Sequence, residues 1–436
     1  MADPRLAAVA NLKAVLEGRS LDVVLASAAA ASDDRDRALA AELSYGVCRW
    51  YFRLDAMVGR LLQRPLKARD RDLHLLLLVG AYQLLYSRVP PHAAVATAVD
   101  ASRALGKAWA GGLVNGVLRR LQREHEALAS AVDSDPALRH ALPRWLYQAV
   151  SDAWPAQAGE VLAALQQRPP MTLRVDLARL SRADCAARLA AAGFAARPHP
   201  LVATAVTLDE PVAVERLPGF AEGLVSVQDA GAQLAAVLLD PQPGERVLDA
   251  CAAPGGKTLA LAQQAPGIEL TALDIDPQRL ERVAQNLARG AVQARVLVGD
   301  AALPDGSAWA DARYQRILAD VPCSATGVLR RHPDIRLLRR AADIDALVER
   351  QAAILDALWG LLAPGGRLLY VTCSLLPREN AMQVDAFLER HPEAEVLMLP
   401  AAPGTVAGKG VQLLPGIDDT DGFFYAALTR PAAAST

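Results

Sequence analysis

The sequence predicts a chain of several domains: an N-terminal all-α bundle, a small α+β module, and a C-terminal α/β domain built on a parallel sheet. Three observations predict it. At 436 residues the chain is longer than one ordinary core serves. Its apolar residues recur at three- and four-residue spacing as far as about Leu128, then give way to short alternating runs. Beyond Gln228 the pattern becomes repeated strand-then-helix units, which close as a parallel sheet with right-handed crossovers.

From Pro4 to about Leu128 the Ala/Leu-rich stretches carry few β-branched runs, as a helical bundle requires. Turns or helix ends are expected near Gly18-Arg19-Ser20, Arg64-Pro65, Val89-Pro90-Pro91 and Gly111-Gly112. Asp133-Ser134-Asp135-Pro136, followed by Pro143, reads as a linker into a second unit. There Met171–Val175 and Ala205–Leu208 alternate like strands, and Ala183–Ala192 reads as a helix ended by Gly193. In the last part strands are expected at Arg246–Ala250, Glu269–Leu273, Ala294–Val298, Arg316–Ala319, Arg367–Thr372 and Phe423–Leu428. The expected domains are therefore 1–135, 141–225 and 226–432.

The formal charge of -2 is unevenly distributed. Residues 1–140 carry 19 basic against 15 acidic side chains, residues 141–225 carry 8 of each, and the remainder carries 19 against 25. A mildly basic front half thus precedes an acidic back half, an asymmetry that carries little argument by itself. Five widely spaced cysteines, Cys48, Cys185, Cys251, Cys323 and Cys373, include no CxxC pair to suggest zinc or a disulfide framework. They are expected to be reduced thiols, with no metal site. The most apolar helix candidate, Leu73–Tyr86, is too short to span a bilayer, and no leader pattern is seen, so a cytoplasmic protein is expected.

The first strand-helix unit, Arg246-Val-Leu-Asp-Ala-Cys-Ala-Ala-Pro-Gly-Gly-Lys-Thr258, runs through a turn of small residues, where the backbone can approach a ligand closely. Its glycine spacing is neither that of a P-loop nor that of a dinucleotide fingerprint, which favours a nucleoside without phosphates. S-adenosylmethionine is such a ligand. Asp274, at the end of the second strand, is placed to accept from ribose hydroxyls, and Asp300, after the third, to receive an adenine amino group. Asp276 and Asp305 face inward less clearly.

Two cysteines directly follow strands, in Asp320-Val-Pro-Cys323-Ser324 and Thr372-Cys373-Ser374. If those strands are parallel neighbours, both thiols open into the crevice at the strand ends. Cys48 and Cys185 are expected to be inert core residues, and Cys251 to pack beside the cofactor loop. A thiol pair has a chemical purpose. Carbon 5 of cytosine is a weak nucleophile until a thiolate adds to carbon 6, and a base must later remove the carbon 5 proton. Asp320 is the acid placed to assist at N3, and Lys257 is the nearest cation that could favour a thiolate. Which sulfur attacks is left open by these residues. Arg330, Arg331, Arg336, Arg339 and Arg340 follow, five arginines within eleven residues, and are expected to contact phosphates.

These stretches resemble a known family. Asp249–Thr258, Asp320–Val328 with Arg330–Asp334, and Tyr370–Ser374 are similar to the motifs of the NOL1/NOP2/Sun RNA cytosine-C5 methyltransferases. Leu43-Ser-Tyr-Gly46, Pro90-Pro-His92 and Leu113-Val-Asn-Gly-Val-Leu-Arg119 resemble a NusB-like RNA-binding bundle, a fusion typical of the family's bacterial Sun/Fmu branch. The resemblance implies a NusB-like bundle, an RRM-like middle module and a Rossmann-like methyltransferase domain. It implies 16S ribosomal RNA or a small-subunit precursor as partner, at the cytosine numbered 967, with a monomeric protein acting. It also implies that Cys373 attacks carbon 6 while Cys323 assists proton removal and release. Cofactor contacts would fall on Cys251, Ala252, Ala253, Pro254, Gly255, Gly256, Lys257, Asp274, Asp300 and Asp320. Asp176 departs from the family, where Asn is frequent. Two other readings use the same residues: a DNA cytosine methyltransferase, and a non-catalytic RNA-binding assembly factor.

Overall fold

The computed structural model describes residues 3–28, 34–304, 309–399, 402–417 and 419–432; Asp305 lies outside them. The chain forms two compact units, Met1–Gln167 with Leu329–Ala341, and Arg168–Val328 with Ala342–Thr436.

The first unit is helical. Pro4–Leu16 begins with Asp3 accepting from the Arg5 backbone N–H at 2.9 Å, and the chain turns at Gly18 in the left-handed region. Helices Leu21–Ala28, Asp34–Leu61, Arg71–Tyr86, Pro91–Ala104 and Gly111–Asp133 follow, so the expected breaks fall between helices or at a helix start. Arg71–Tyr86 is apolar nearly all round, with Leu73 and every residue from Leu75 to Gln83 buried. A helix of that pattern belongs at the centre of a bundle, and it packs against the first, third, fifth and sixth helices. Gly46 makes one of these crossings possible: a Cβ there would lie 2.0 Å from the Tyr82 ring. Cys48 is a core residue, as expected.

The expected linker at 133–136 is instead a capped turn. Asp135 accepts from the Ala137 N–H at 2.9 Å, and Pro136–Arg139, Arg144–Ala153 and Ala158–Ala164 continue the helical unit to Gln167. The arginine-rich stretch after Cys323 also belongs to this unit. There the helical turn Ile335–Leu338 packs on Pro4–Leu16 and Asp34–Leu61, and Asp334 accepts from the Leu21 N–H at 2.9 Å. Arg336 is 1 % exposed and donates to the carbonyls of Arg49 and Leu165, while the Arg330 carbonyl accepts from Arg49. The expectation that all five arginines meet phosphate is therefore corrected for Arg330 and Arg336, which are buried. Sequence shows the charges of these side chains but not that main-chain carbonyls take them up. Arg331 and Arg339 are half-buried and Arg340 is exposed.

The second unit opens with a small antiparallel sheet, β1 (Met171–Val175), β2 (Ala196–Pro198), β3 (Ala205–Leu208) and β4 (Val225–Val227), in the order β2-β3-β1-β4. Helix Arg182–Ala191 covers it and brings Cys185 into its core with Leu173, Leu189 and Val206. The larger sheet contains β5 (Arg246–Asp249), β6 (Glu269–Asp274), β7 (Arg295–Val298), β8 (Tyr314–Asp320), β9 (Leu362–Thr372), β10 (Glu395–Leu397), β11 (Thr405–Ala407), β12 (Gly410–Gln412) and β13 (Phe424–Thr429). Its order is β11-β12-β13-β9-β8-β5-β6-β7, with β10 also on β13. From β7 to β9 all neighbours are parallel, and the chain order reverses across β5, with β6 on one side and β8 on the other. Sheets of this kind bind ligands at the carboxyl ends of the strands beside such a reversal.

β13 departs from the expected parallel order. It pairs antiparallel with β9, from Phe424 opposite Thr372 to Thr429 opposite Arg367. Its predecessor is the short strand β12, joined to it by a loop and not by a crossover helix, and parallel entry needs the crossover.

Candidate active site

The carboxyl ends of β5, β6, β8 and β9 surround one open cleft, lined among others by Cys251, Ala253, Asp274, Asp320, Cys323 and Cys373. Residues expected from distant parts of the sequence are thus brought together. The strand register explains it: in the parallel pair β8 and β9, Asp320 stands opposite Val371, so Cys323 and Cys373 leave neighbouring strands almost in step. Their sulfurs are 3.4 Å apart.

The loop after β5 is held to its neighbours by the backbone. Ala250 N–H donates to Leu318 O at 2.9 Å, and Ala252 N–H to Leu273 O at 2.8 Å. Gly255 is left-handed (φ 99°), and a Cβ there would lie 2.9 Å from the Val283 Cα, so no larger residue fits. Ala252, Pro254, Gly255 and Gly256 shape this turn without lining the cleft themselves. Asp274, 4 % exposed, accepts from the Ala253 N–H at 3.0 Å and the Asp276 N–H at 3.1 Å, which fixes its carboxylate in the cleft wall. Asp276 instead caps the helix Pro277–Arg289. Asp300 is not a lining residue; it is bound by Arg350, which is. A ligand pocket with a buried, fixed carboxylate at Asp274 and closely approaching backbone fits a nucleoside donor.

Asp320 ends β8 and lines the cleft with the two cysteines. Lys257 donates to its Oδ2 at 2.7 Å, and the same ammonium lies 5.1 Å from the centre of the Phe423 ring. Burial works to lower the Lys257 pKa, but the Asp320 charge and hydrogen bond outweigh it and hold the ammonium above its ordinary value, with Cys373 adding in the same sense. Lys257 is thus a charged neighbour of Cys373. The Cys323 thiol is pushed well above the usual range, first by its hydrogen bond to Cys373, then by burial and by the charges of Cys373 and Glu379. Burial, with Asp320, Asp249 and Asp274 nearby, raises the Cys251 thiol too, which leaves it a packing residue of the wall.

Several side chains in and beside the cleft were given no role from the sequence. Arg350, in the helix Asp343–Leu361, looks there like any helix-surface arginine. Glu379, Ser324 and Ser374 are buried and hydrogen-bonded to one another beside the two cysteines. Asp249 is buried and accepts from Thr258 at 2.7 Å.

The chain is 47% identical over 98% of its length to ribosomal RNA small subunit methyltransferase B of Klebsiella pneumoniae subsp. pneumoniae, covering 97% of that protein. It belongs to the small-subunit ribosomal RNA methyltransferase B family. The family protein of Pseudomonas putida is 48% identical, over 99% of both chains. Residues 236–429 match the model of the 16S rRNA methyltransferase RsmB/F family, 2–123 that of the NusB family, and 142–215 that of the ferredoxin-like domain of RsmF/B-like methyltransferases. In three dimensions it is similar to a methyltransferase homolog protein from Pyrococcus horikoshii, with a TM-score of 0.58 at 29% identity, covering 69% of this chain and 99% of that one. Membership of this family accounts for the helical, ferredoxin-like and Rossmann-like parts on one chain.

Proposed function

We propose that the protein methylates carbon 5 of a cytosine in 16S ribosomal RNA, at the position numbered 967, with S-adenosylmethionine as donor and a covalent cysteine adduct. The observation that carries this reading is the pair of sulfurs 3.4 Å apart at the ends of adjacent strands, with Asp320 lining the same cleft. A single thiol suffices for nucleophilic addition; a second at that distance suits a reaction whose last step must expel the first.

The Cys373 thiolate, neighboured by the Lys257 ammonium, adds to carbon 6 of the flipped base. As electrons move toward carbon 5, N3 takes up a proton from the hydrogen-bonded Lys257–Asp320 pair, passed through the Asp320 carboxyl, so no negative charge accumulates on the ring. When bound, S-adenosylmethionine supplies an electrophilic methyl group, which carbon 5 takes as the donor's sulfur–carbon bond breaks. The carbon 5 proton then passes, with the assistance of Cys323, to water in the open cleft; its bonding electrons form the carbon 5–carbon 6 double bond and expel the Cys373 thiolate, and N3 returns its proton to the Lys257–Asp320 pair. Asp274 would hold the donor's ribose, and Asp300, through Arg350, would set the adenine end of the site. The helical unit, with Arg331, Arg339 and Arg340, and the ferredoxin-like module would bind the RNA.

Cys373→Ala is expected to abolish methyl transfer to a 16S rRNA fragment while donor binding by calorimetry survives. Cys323→Ala is expected to accumulate an RNA–protein adduct that resists denaturation. Turnover by Cys373→Ala, or no adduct with Cys323→Ala, would reverse or void the two roles. Competition between matched RNA and DNA oligonucleotides separates this reading from a DNA methyltransferase. The relatives are ribosomal RNA small subunit methyltransferases, which favours RNA.

A further inference from the structure

Glu379 follows β9 by seven residues, in a short 3-10 turn, and is fully buried. A carboxylate without solvent needs several donors, and four reach this one. Ser324 N–H at 2.8 Å and Gln351 Nε2 at 3.1 Å donate to Oε1; the hydroxyls of Ser324 and Ser374, each at 2.5 Å, donate to Oε2. Ser324 directly follows Cys323 and Ser374 directly follows Cys373. One carboxylate therefore grips the residue after each catalytic thiol.

The surrounding bonds anchor the grip. Gln351, also fully buried, donates to the Pro322 carbonyl at 3.0 Å, so the chain on the other side of Cys323 is tied to the same carboxylate. The Tyr370 hydroxyl donates to the Glu379 main-chain carbonyl at 2.6 Å, which fixes the turn to β9 itself. All four contacts to the carboxylate are donated to it, and hydroxyl-to-carboxylate bonds of this length are among the strong ones. Expelling water from this network makes each contact count for more, and an absent partner cost more.

We propose that Glu379 is a positioning residue for the methyl-transfer reaction, setting the separation and orientation of Cys323 and Cys373 through Ser324 and Ser374. It touches neither substrate nor donor in this role. Beside the Cys373 hydrogen bond, burial and the Cys373 charge, the Glu379 charge adds to what raises the Cys323 thiol.

This inference rests on the reading of the two cysteines given above, and its test is chosen to separate the two. Glu379→Gln removes the charge and replaces one acceptor with an NH2 group that faces donors. In the full-length protein, kcat is expected to fall on the order of 100-fold while donor affinity stays unchanged. In the free protein, without RNA, iodoacetamide labelling at pH 8 followed by peptide mapping should show Cys323 reacting roughly tenfold faster than in the wild type. Ser374→Ala, which keeps the charge and removes one donor, should lower kcat by roughly tenfold and raise Cys323 labelling less than Glu379→Gln does. It also serves as the deciding variant if Glu379→Gln does not fold. Wild-type kcat in a folded Glu379→Gln or in Ser374→Ala, or wild-type Cys323 labelling in Glu379→Gln, overturns the inference. Because labelling needs no RNA, a protein that methylated some other group would still answer whether Glu379 governs Cys323.

Discussion

Replacing Gly327 with alanine tests whether the spacing of the two thiols limits the reaction. A Cβ on Gly327 would lie 2.1 Å from the Gly422 carbonyl oxygen, 2.7 Å from its carbon and 2.8 Å from its Cα. Ordinary contact begins near 3.4 Å, so the two segments must part by about 1.3 Å, the difference between 3.4 and 2.1. Every atom in the way is main chain, so no side chain can rotate aside. Two hydrogen bonds carry the displacement onward: Gly327 N–H donates to the Cys373 carbonyl at 2.8 Å, and Gly422 N–H to the Gly327 carbonyl at 2.9 Å. Either Cys373 moves with the loop or the bond to it breaks. A misplacement of about 1 Å costs on the order of 100-fold in rate, or about 2.7 kcal/mol of barrier. Overpacking at this position should also lower stability by about 1–3 kcal/mol. The assay is single-turnover transfer of a labelled methyl group to a 16S rRNA fragment, with donor binding and thermal unfolding measured on the same protein. Gly360→Ala is the control, since a Cβ there meets nothing within 4 Å; it should leave the rate unchanged and raise stability slightly. A folded Gly327→Ala protein that transfers methyl groups within roughly threefold of wild type, under about 0.7 kcal/mol of barrier, would refute the reasoning.

Two further predictions concern charge. Burial, with Asp320 and Asp274 adding and the Thr258 hydroxyl and the Lys257 charge opposing, raises the Asp249 pKa from 3.8 to about 7. Between those values the folded protein keeps a proton that the unfolded chain releases, so stability from this group is complete below the unfolded pKa and is lost as pH rises through about 7. The loss is on the order of a few kcal/mol, and Asp249→Asn should flatten the wild-type fall in denaturant-derived stability between pH 5 and pH 8; parallel curves would show that Asp249 does not titrate there. For the arginine-rich stretch, Arg336→Met leaves two buried carbonyls without their donor and should lower the unfolding temperature without changing the salt slope of RNA binding. Arg340→Ala should do the reverse, reducing that slope by about one, and an unchanged slope would remove Arg340 from the RNA contacts.

What could be read in the sequence follows from what a linear pattern records. Met171–Val175 and Ala205–Leu208 were expected as strands, and both are strands over those same residues, because alternation and flanking turn residues are local signals. The three-residue strands β10, β11 and β12 had no such signal; they exist because β13 and one another offer backbone partners. The same contrast holds at the site. Cys323, Cys373, Asp320 and Asp274 stand at strand ends in motifs of small residues and prolines, so their convergence could be anticipated from the topology of a parallel sheet. Glu379 could not: it follows Pro377 and Arg378 in a stretch that reads as an exposed turn, and only the fold puts its carboxylate between two serines 50 residues apart.

The arginines after Cys323 show the opposite error, where a composition signal was strong and its meaning was misjudged. A guanidinium has five donors and no acceptor, so a cluster of them must find oxygen atoms, but phosphate is only one source. Carbonyls at helix C-terminal ends are another, since the last four of each helix lack an intrahelical partner. Leu165 lies just past the end of Ala158–Ala164, and its carbonyl accepts from Arg336. Arg49 lies inside Asp34–Leu61, and its carbonyl accepts a bond from the same side chain beyond those of the helix. The stretch that begins six residues after Cys323 thus spends at least one arginine on carbonyls inside the helical unit.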